Sequence, residues 1–456
     1  MAAPGPPPPF LAEVRAALGP HRVVTDPART ASHAVDWTGR FRASPPVVVR
    51  PATVDDVVAV VVAAGAHGVA LVPQGGNTGL VGGATPLDGE VVVDLRPLHE
   101  VRDVDELGGQ LTAGAGAPIA AVQEAARRAG WAYGVDWAAR DTATVGGSVG
   151  TDAGGLRFVR HGSTRRQLLG VEAVLGTGEV ISHLARVEKD NTGYDLGGLL
   201  CGSEGTLGVV TAARLRLVPP RPDAAVALVG FASVAAAVDA AWAVRRGIGG
   251  LEAVELMTAA GLELVCTVRS WPAPLPTPAP AVLLVEVAPV GDPGAVLAEA
   301  VAGLDGVVDA AVATDGRAGP ACGATGRRTP MPSPPSAHPT SSTSPSRPPS
   351  SPGSWWMRPG SWPPWRHART WCFGHAADGN VHVNVTGLAA DDEVVAEAVL
   401  GAVAERGGSI SAEHGIGRAK RRWVHLARTP AELAAMRAVK GALDPHGICN
   451  PGVLLP

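Results

Sequence analysis

Pro73-Gln-Gly75-Gly76-Asn77-Thr78-Gly79-Leu-Val-Gly82-Gly83 is the stretch on which the fold turns. Five of its eleven residues are glycine, the residue that enters left-handed backbone space without strain and lets a ligand approach the main chain closely. Apolar runs flank it, Val69 to Val72 before and Val91 to Leu95 after, and both read as short buried strands. A glycine-rich loop at a strand edge can turn successive N–H groups inward into an anion-binding concavity. It contains no Lys or Arg, unlike a P-loop, and its spacing is not the G-x-G-x-x-G of a dinucleotide fold. By itself the loop suits a diphosphate cradle and a plain glycine connection equally well.

Two later stretches repeat the theme. Thr142 to Gly155 reads Thr-Ala-Thr-Val-Gly-Gly-Ser-Val-Gly-Thr-Asp-Ala-Gly-Gly, and Leu199 to Val210 reads Leu-Leu-Cys-Gly-Ser-Glu-Gly-Thr-Leu-Gly-Val-Val. Between them stands Lys189-Asp-Asn-Thr-Gly-Tyr194. In this order, over Val47 to Pro219, the four motifs together resemble the FAD-binding domain of the vanillyl-alcohol-oxidase type. The resemblance implies an α+β fold, with a two-subdomain FAD-binding domain and a ferredoxin-like substrate cap. It implies that Pro73, Gly75, Gly76, Asn77, Thr78, Gly79 and Gly82 embrace the FAD pyrophosphate. Thr144, Gly146, Gly147, Ser148, Gly150, Thr151, Gly154 and Gly155 would close on it from the other side. Glu204, Gly205, Gly208 and Val209 would lie near the adenine and flavin ends. The first loop has no histidine for covalent flavin attachment.

A chain of 456 residues is long enough for two or three domains with large cores, and 46% apolar content argues against general disorder. A net charge of −4 gives no electrostatic case for nucleic acid. The five cysteines are scattered without a C-x-x-C pair, which fits a reducing compartment and neither a disulfide scaffold nor a thiolate metal site. Met1 to Phe10 is proline-rich and lacks a signal-peptide pattern, and no apolar run reaches membrane-spanning length. These features read as a soluble cytoplasmic protein, with a peripheral contact at the inner face of the membrane left open.

The expected organisation is an N-terminal helical segment (1–46), the FAD-binding domain (47–219), a substrate or cap domain (220–410) and a C-terminal segment that returns to the flavin site (411–456). Phe10 to Leu18, Val54 to Gly65 and Ala117 to Gly130 read as helices, the second with Asp55 and Asp56 in its first turn where the macrodipole favours acids. Val171 to Leu175, Val180 to Ile181 and Val209 to Leu217 read as strands of a second sheet. In the cap, strands at Val226 to Phe231, Leu251 to Leu256 and Val282 to Val287 alternate with helices at Val234 to Arg246 and Pro293 to Leu304.

The chain then changes character. From Gly316 to Ala377 there is no Asp or Glu, and from Gly316 to Asn380 no Val, Leu or Ile. Thr329 to Arg366 holds twelve prolines, ten serines and four of the eleven tryptophans. A disordered Pro/Ser linker has this composition, but solvated linkers rarely keep tryptophan. GC-rich coding DNA for valine and alanine, read one register off, yields Ser, Pro, Arg and Trp codons. A GC-biased back-translation of Arg328 to Ala337, shifted to a neighbouring frame, permits His-Ala-Asp-Ala-Val-Ala-Ala-Val-Gly, an ordinary helix. Two compensating indels, near 315 to 330 and near 366 to 372, would scramble residues 316–370 while leaving the length ordinary.

Order returns at Trp371. Gly374-His375-Ala-Ala-Asp378-Gly379-Asn380-Val-His382-Val-Asn384-Val385 contains a turn triplet, Asp378-Gly379-Asn380, able to bring His375 back beside His382. On the strand that follows, two-residue alternation puts His382 and Asn384 on one face and Val381, Val383 and Val385 on the other. Ser411-Ala-Glu413-His414-Gly415-Ile-Gly417 adds a carboxylate and a third imidazole. Two histidines and a glutamate form a ligand set for Zn2+ or another divalent metal, with positions left open for substrate.

These motifs resemble the D-2-hydroxyacid dehydrogenase branch, which includes glycolate oxidase subunits, D-lactate dehydrogenases and D-2-hydroxyglutarate dehydrogenases. The resemblance implies that His375, His382 and Glu413 bind the metal where one is present and that His414 is the general base. Asp378, Asn380 and Asn384 would orient these groups, Asn384 toward substrate, and Asn450 of the closing Leu443 to Gly452 signature would join the cofactor set. Where that signature commonly continues with lysine, Val453 stands. Residues 316–370 should supply an arginine and a lysine for the substrate carboxylate, and none there can be matched to them. The implied reaction is FAD-dependent oxidation of a D-2-hydroxy acid, with hydride going to flavin N5. Its implied partners are the small 2-hydroxy acid and an electron acceptor (quinone, cytochrome or flavoprotein), with a homodimer left open. Two alternatives remain: an FAD-binding protein impaired by its scrambled cap segment, and a flavin oxidase of another alcohol, a lactone or an ether lipid.

Overall fold

Valine-rich strands and alanine-rich helices assemble into three sheets. The computed structural model describes residues 5–221, 224–288, 291–313, 340–345, 369–388 and 393–456, so most of the anomalous stretch 316–370 lies outside the described residues. The first sheet runs in the order Val23–Val24, Val48–Val49, Val91–Asp94, Leu71–Gln74, and its last three strands are parallel. Parallel neighbours need a crossover, and helix Val54–His67 provides it. That helix opens on a capping box between Thr53 and Asp56 and stops at Gly68 in the left-handed conformation. Val57, Val60, Val61 and Ala64 recur at helical spacing and share one buried cluster with Phe10, Val14 and Leu18 of helix Pro8–Leu18.

The second sheet is antiparallel, ordered Val101–Asp105, Gln110–Gly114, Gly208–Arg216, Leu168–Leu175, Val180–His183. Beside it, half of the second glycine cluster is helical, from Val145 to Thr151. Glycine disfavours helix, but Val145 and Val149, one turn apart, are fully buried among Leu111, Ala113 and Ala213, and that burial decides the conformation.

The third sheet has seven antiparallel strands in the order Val307–Ala313, Ala225–Phe231, Ala281–Val287, Leu251–Thr258, Arg369–Gly374, Asn380–Thr386, Thr340–Pro345. Helices Val234–Gly247 and Pro293–Ala302 pack on one face. Helix Ala259–Arg269 and strand Val307–Ala313 are additional to the expected elements; the strand is valine and alanine around a single Asp, so its sequence carries little apolar–polar alternation. The His375–His382 hairpin therefore extends the cap sheet, with Leu256 opposite Gly374 and Met257 opposite Phe373. At the far end the chain returns to the first sheet, where Leu71 N donates to the Ile448 carbonyl and Asn450 N to the Leu71 carbonyl, both at 2.8 Å. Among the described residues no helix is long and apolar enough to cross a membrane.

Candidate active site

The first glycine loop lies hard against the second cluster. A Cβ on Gly75 would sit 2.1 Å from Thr144 Oγ1, and one on Gly76 would sit 2.0 Å from the Thr142 carbonyl oxygen, so neither position admits a side chain. Among the described residues, no main-chain N–H from Gly75 to Gly83 donates to a protein acceptor. Thr144 Oγ1 is buried without a partner. Backbone donors in a folded protein are nearly always satisfied, and a row of spare donors beside an orphaned hydroxyl fits a bound diphosphate. The structure gathers Gly75, Gly76, Thr142 and Thr144 at this seam. The Lys189 to Tyr194 motif, by contrast, lies on the surface with Tyr194 exposed.

Glu204 and Asn450 brace this cradle. The buried Glu204 carboxylate accepts from Ile416 N and Gly417 N, each at 2.7 Å. Asn450 Nδ2 donates to the Gly83 carbonyl at 2.8 Å and to the Glu204 carbonyl at 2.7 Å. Arg418 N and Ala419 N both donate to the Val81 carbonyl, at 2.9 and 3.1 Å. The loop that carries Glu413 and His414 is thereby fastened to the glycine loop.

Strand alternation sets the other wall. Val381, Val383 and Val385 pack with Val395, Val399 and Val403 of helix Val394–Ala404. The opposite face presents His382, with Phe373 as its cross-strand neighbour stacked at 4.8 Å between ring centroids. Main-chain bonds from Asp378 N and Asn380 N to the His375 carbonyl close the turn, and the rings of His375 and His382 come to 5.7 Å. Asn384 is buried two residues beyond His382 on the same strand. Glu413 joins the imidazoles: one oxygen lies 3.1 Å from His382 Nε2 and 3.1 Å from His414 Nε2, and the other lies 3.4 Å from His375 Nε2. His414 stacks on His382 at 5.1 Å. The ligand atoms of His375, His382 and Glu413 lie within 4.8 Å of one another, so the donor set fits a divalent metal.

Burial raises the cost of every charge here, and the neighbours decide which charges persist. His375 loses solvation, yet the Glu255 and Glu413 carboxylates outweigh that loss and hold its pKa well above the ordinary histidine value. Burial would lift Glu413, but His375 and His382 keep it well below the usual carboxylate range. His414 goes the other way: burial lowers it, Glu413 only partly offsets this, and the charges of His382 and Lys420 lower it further. Burial also pushes the Asp378 carboxyl up to about 6, despite the nearby His375 charge.

Two participants were not anticipated from the motifs. Glu255 accepts from His375 Nδ1 at 2.5 Å and fixes which ring nitrogen faces Glu413. Its signal was an acid inside the apolar strand Leu251–Thr258. Lys420, buried at the end of the Glu413 loop, is the second.

Comparison with known proteins gives the family and the fold. Residues 45–183 match the FAD binding domain family, and residues 221–325 and 366–454 match the family of FAD linked oxidases, C-terminal domain. The interruption, 326–365, falls inside the anomalous stretch. The chain is 35% identical over 470 residues to the D-2-hydroxyglutarate dehydrogenase of Xanthomonas citri pv. viticola, covering 98% of this chain and 97% of that protein. It is 35% identical over 460 residues to the mitochondrial D-2-hydroxyglutarate dehydrogenase of Bos taurus, covering 96% and 82%. Among solved structures, 4-ethylphenol oxidase from Gulosibacter chungangensis superposes with a TM-score of 0.77 at 17% identity, covering 100% of this chain and 99% of that one. p-Cresol methylhydroxylase gives 0.75 at 15%, covering 99% and 98%. At such identities the two solved structures establish the shared fold alone.

Proposed function

The chain belongs to the family of FAD-linked oxidases that contains the D-2-hydroxyglutarate dehydrogenases, and from that premise we propose that it oxidises a D-2-hydroxy acid, D-2-hydroxyglutarate first among them, to the 2-oxo acid. The observation that carries this reading is the attachment of the Glu413–His414 loop to the glycine loop with the spare amides. It supports a base working beside the cofactor cradle.

Oxidation of an α-hydroxy acid needs the hydroxyl proton removed as hydride leaves the α-carbon. His414, kept neutral by burial, takes the proton. FAD, when bound, supplies the hydride acceptor. Gly75 to Gly83 and Thr144 would hold its diphosphate. His375, His382 and Glu413 would hold a divalent metal, which when bound supplies Lewis acidity toward the substrate hydroxyl and carboxylate. Glu255 would keep the His375 ring turned for that task, and Asn384 would orient substrate.

A dehydrogenase of this kind needs a separate electron acceptor; a quinone, a cytochrome or a second flavoprotein are the classes to assay. Dye-linked turnover by the purified holoprotein should be fastest with D-2-hydroxyglutarate, ahead of D-lactate and glycolate. Equal and negligible turnover of all three by a yellow protein would favour the second reading, an FAD-binding protein impaired in its cap. The interruption of the family match at 326–365 is the observation that favours that reading.

A further inference from the structure

The loop that carries Glu413 and His414 has no helix or strand of its own between Ser411 and Gly417. Two of its glycines, Gly415 at φ 80° and Gly417 at φ 54°, stand in left-handed backbone space. The chain around Ile416 therefore has wide freedom unless contacts from outside the loop restrain it. Ser411 Oγ donates to the Gly415 carbonyl at 2.5 Å, but that bond is internal to the loop. Glu204 holds the Ile416 and Gly417 amides from the Leu199 to Val210 stretch. On the other side the holding side chain is Arg418, four residues beyond His414.

Arg418 gathers three segments on one guanidinium. Its Nη1 donates to Asp88 Oδ2 at 2.7 Å, and its Nη2 donates to Glu90 Oε1 and, at 3.3 Å, to the Pro451 carbonyl. Asp88 and Glu90 close the glycine region just before strand Val91–Asp94, and the second Glu90 oxygen accepts from Asp88 N at 2.8 Å. Pro451 belongs to the closing signature, where Gly452 leaves the guanidinium its room: a Cβ there would lie 2.8 Å from Nη1. Asp88 is exposed, so its pair is screened by water. Glu90 is the partner that counts, with 1% of its side chain exposed against 10% for Arg418. A buried carboxylate left without its cation is costly, so the guanidinium stays on Glu90 and holds its own main chain there, where Arg418 N donates to the Val81 carbonyl at 2.9 Å.

We propose that Arg418 is a positioning residue of the reaction: clasped by Glu90, it fixes the reach from the cofactor cradle to Glu413 and His414, acting through the loop and not on substrate. A reacting group displaced by about 1 Å can lose about 10²-fold in rate, and the two glycines on the His414 side of the clasp leave nothing else to absorb a shift. This inference rests on the reading of His414 as the base.

Arg418→Met alone would strand the Glu90 charge and endanger the fold, so the test uses Glu90→Leu/Arg418→Met, which removes both charges together. Amide hydrogen exchange in the holoprotein should be at least tenfold faster over residues 411–419 in the double variant, and unchanged in the strands of the cap sheet. Its kcat with D-2-hydroxyglutarate should fall about 10²-fold at unchanged KM and FAD affinity. The isotope effect on kcat with substrate deuterated at the α-carbon should rise, because hydride transfer then limits turnover. Arg418→Lys keeps a charge against Glu90 but loses the two-armed fork, and should recover part of kcat. Unchanged exchange or unchanged kcat in the folded double variant overturns the inference. A parallel loss of FAD affinity, or a rise in KM alone, overturns it as well. Should the double variant not fold, Arg418→Lys decides by the same readings: exchange and kcat both at wild-type values overturn the inference. A wild type that oxidises no 2-hydroxy acid defeats the functional reading, a separate failure, and the exchange result then decides by itself whether Arg418 holds the loop.

Discussion

His414 is the imidazole in the cluster whose surroundings lower its pKa, as the proposed base requires. Its pKa is lowered by burial, so it stays neutral to below the ordinary histidine value of about 6.5. The acid limb of kcat/KM should therefore fall below that value, because the base is lost only when protonated; a limb at or above it would contradict the assignment. His414→Ala should cost about 10²- to 10⁴-fold in kcat while FAD stays bound, as read from flavin absorbance and turnover on one sample. Glu255 acts through His375 and not on substrate. Glu255→Gln should weaken Zn2+ binding by about 10- to 100-fold, measured by metal titration. Binding metal must displace the proton that Glu255 and Glu413 hold on His375, so wild-type affinity should rise with pH until the raised His375 value is passed. A pH-independent affinity would show that His375 is not a ligand. The pairing of His375 with His382 could be read in the sequence because a turn triplet and strand alternation act over a few residues, whereas Glu413 and His414 came in through the motif that resembles the family. Glu255 could not, since its role depends on a contact with His375, far away in sequence.

Helices and strands with strong apolar periodicity, such as Val54–His67 and Ala281–Val287, fall close to where the pattern puts them. The helix Val145–Thr151 does not, because its glycines mask a conformation that two buried valines impose. The contact between the glycine segments is equally invisible in sequence, although each segment by itself is conspicuous. It gives an element-scale prediction. Gly76→Ala drives a methyl into the Thr142 carbonyl and should cost about 1–3 kcal/mol through overpacking, with a lower flavin-to-protein ratio after purification. Gly441→Ala, on helix Pro430–Leu443 outside both glycine loops, where no atom lies within 4 Å of the added Cβ, should keep its flavin. Equal loss in both would remove the significance of the seam.

At the scale of the molecule, the FAD-binding part and the cap meet on charges. Glu252 is fully buried in the cap sheet, with Arg157, Arg160 and Arg221 at 3.7 to 3.8 Å and His161 at 3.5 Å. Arg157 also reaches Glu286 at 3.0 Å. Glu252→Ala leaves these cations facing one another and should destabilise the fold by about 3 kcal/mol, seen as a lower unfolding temperature; an unchanged temperature would mean the parts are held by apolar packing alone. Cap residues 316–370 are the other question of this scale. Their departure from valine-rich composition is plain in the sequence, and the family match stops within them. An intact reading frame encoding the same Pro/Ser stretch in several close relatives would end the frameshift explanation. The central claim is that spare amides at the glycine loop hold FAD where His414 can work on a D-2-hydroxy acid. Anaerobic mixing of the holoprotein with D-2-hydroxyglutarate tests it most directly. The account predicts bleaching of the oxidised flavin band with one 2-oxoglutarate formed per flavin, and a flavin that stays oxidised with D-2-hydroxyglutarate, D-lactate and glycolate alike would contradict it.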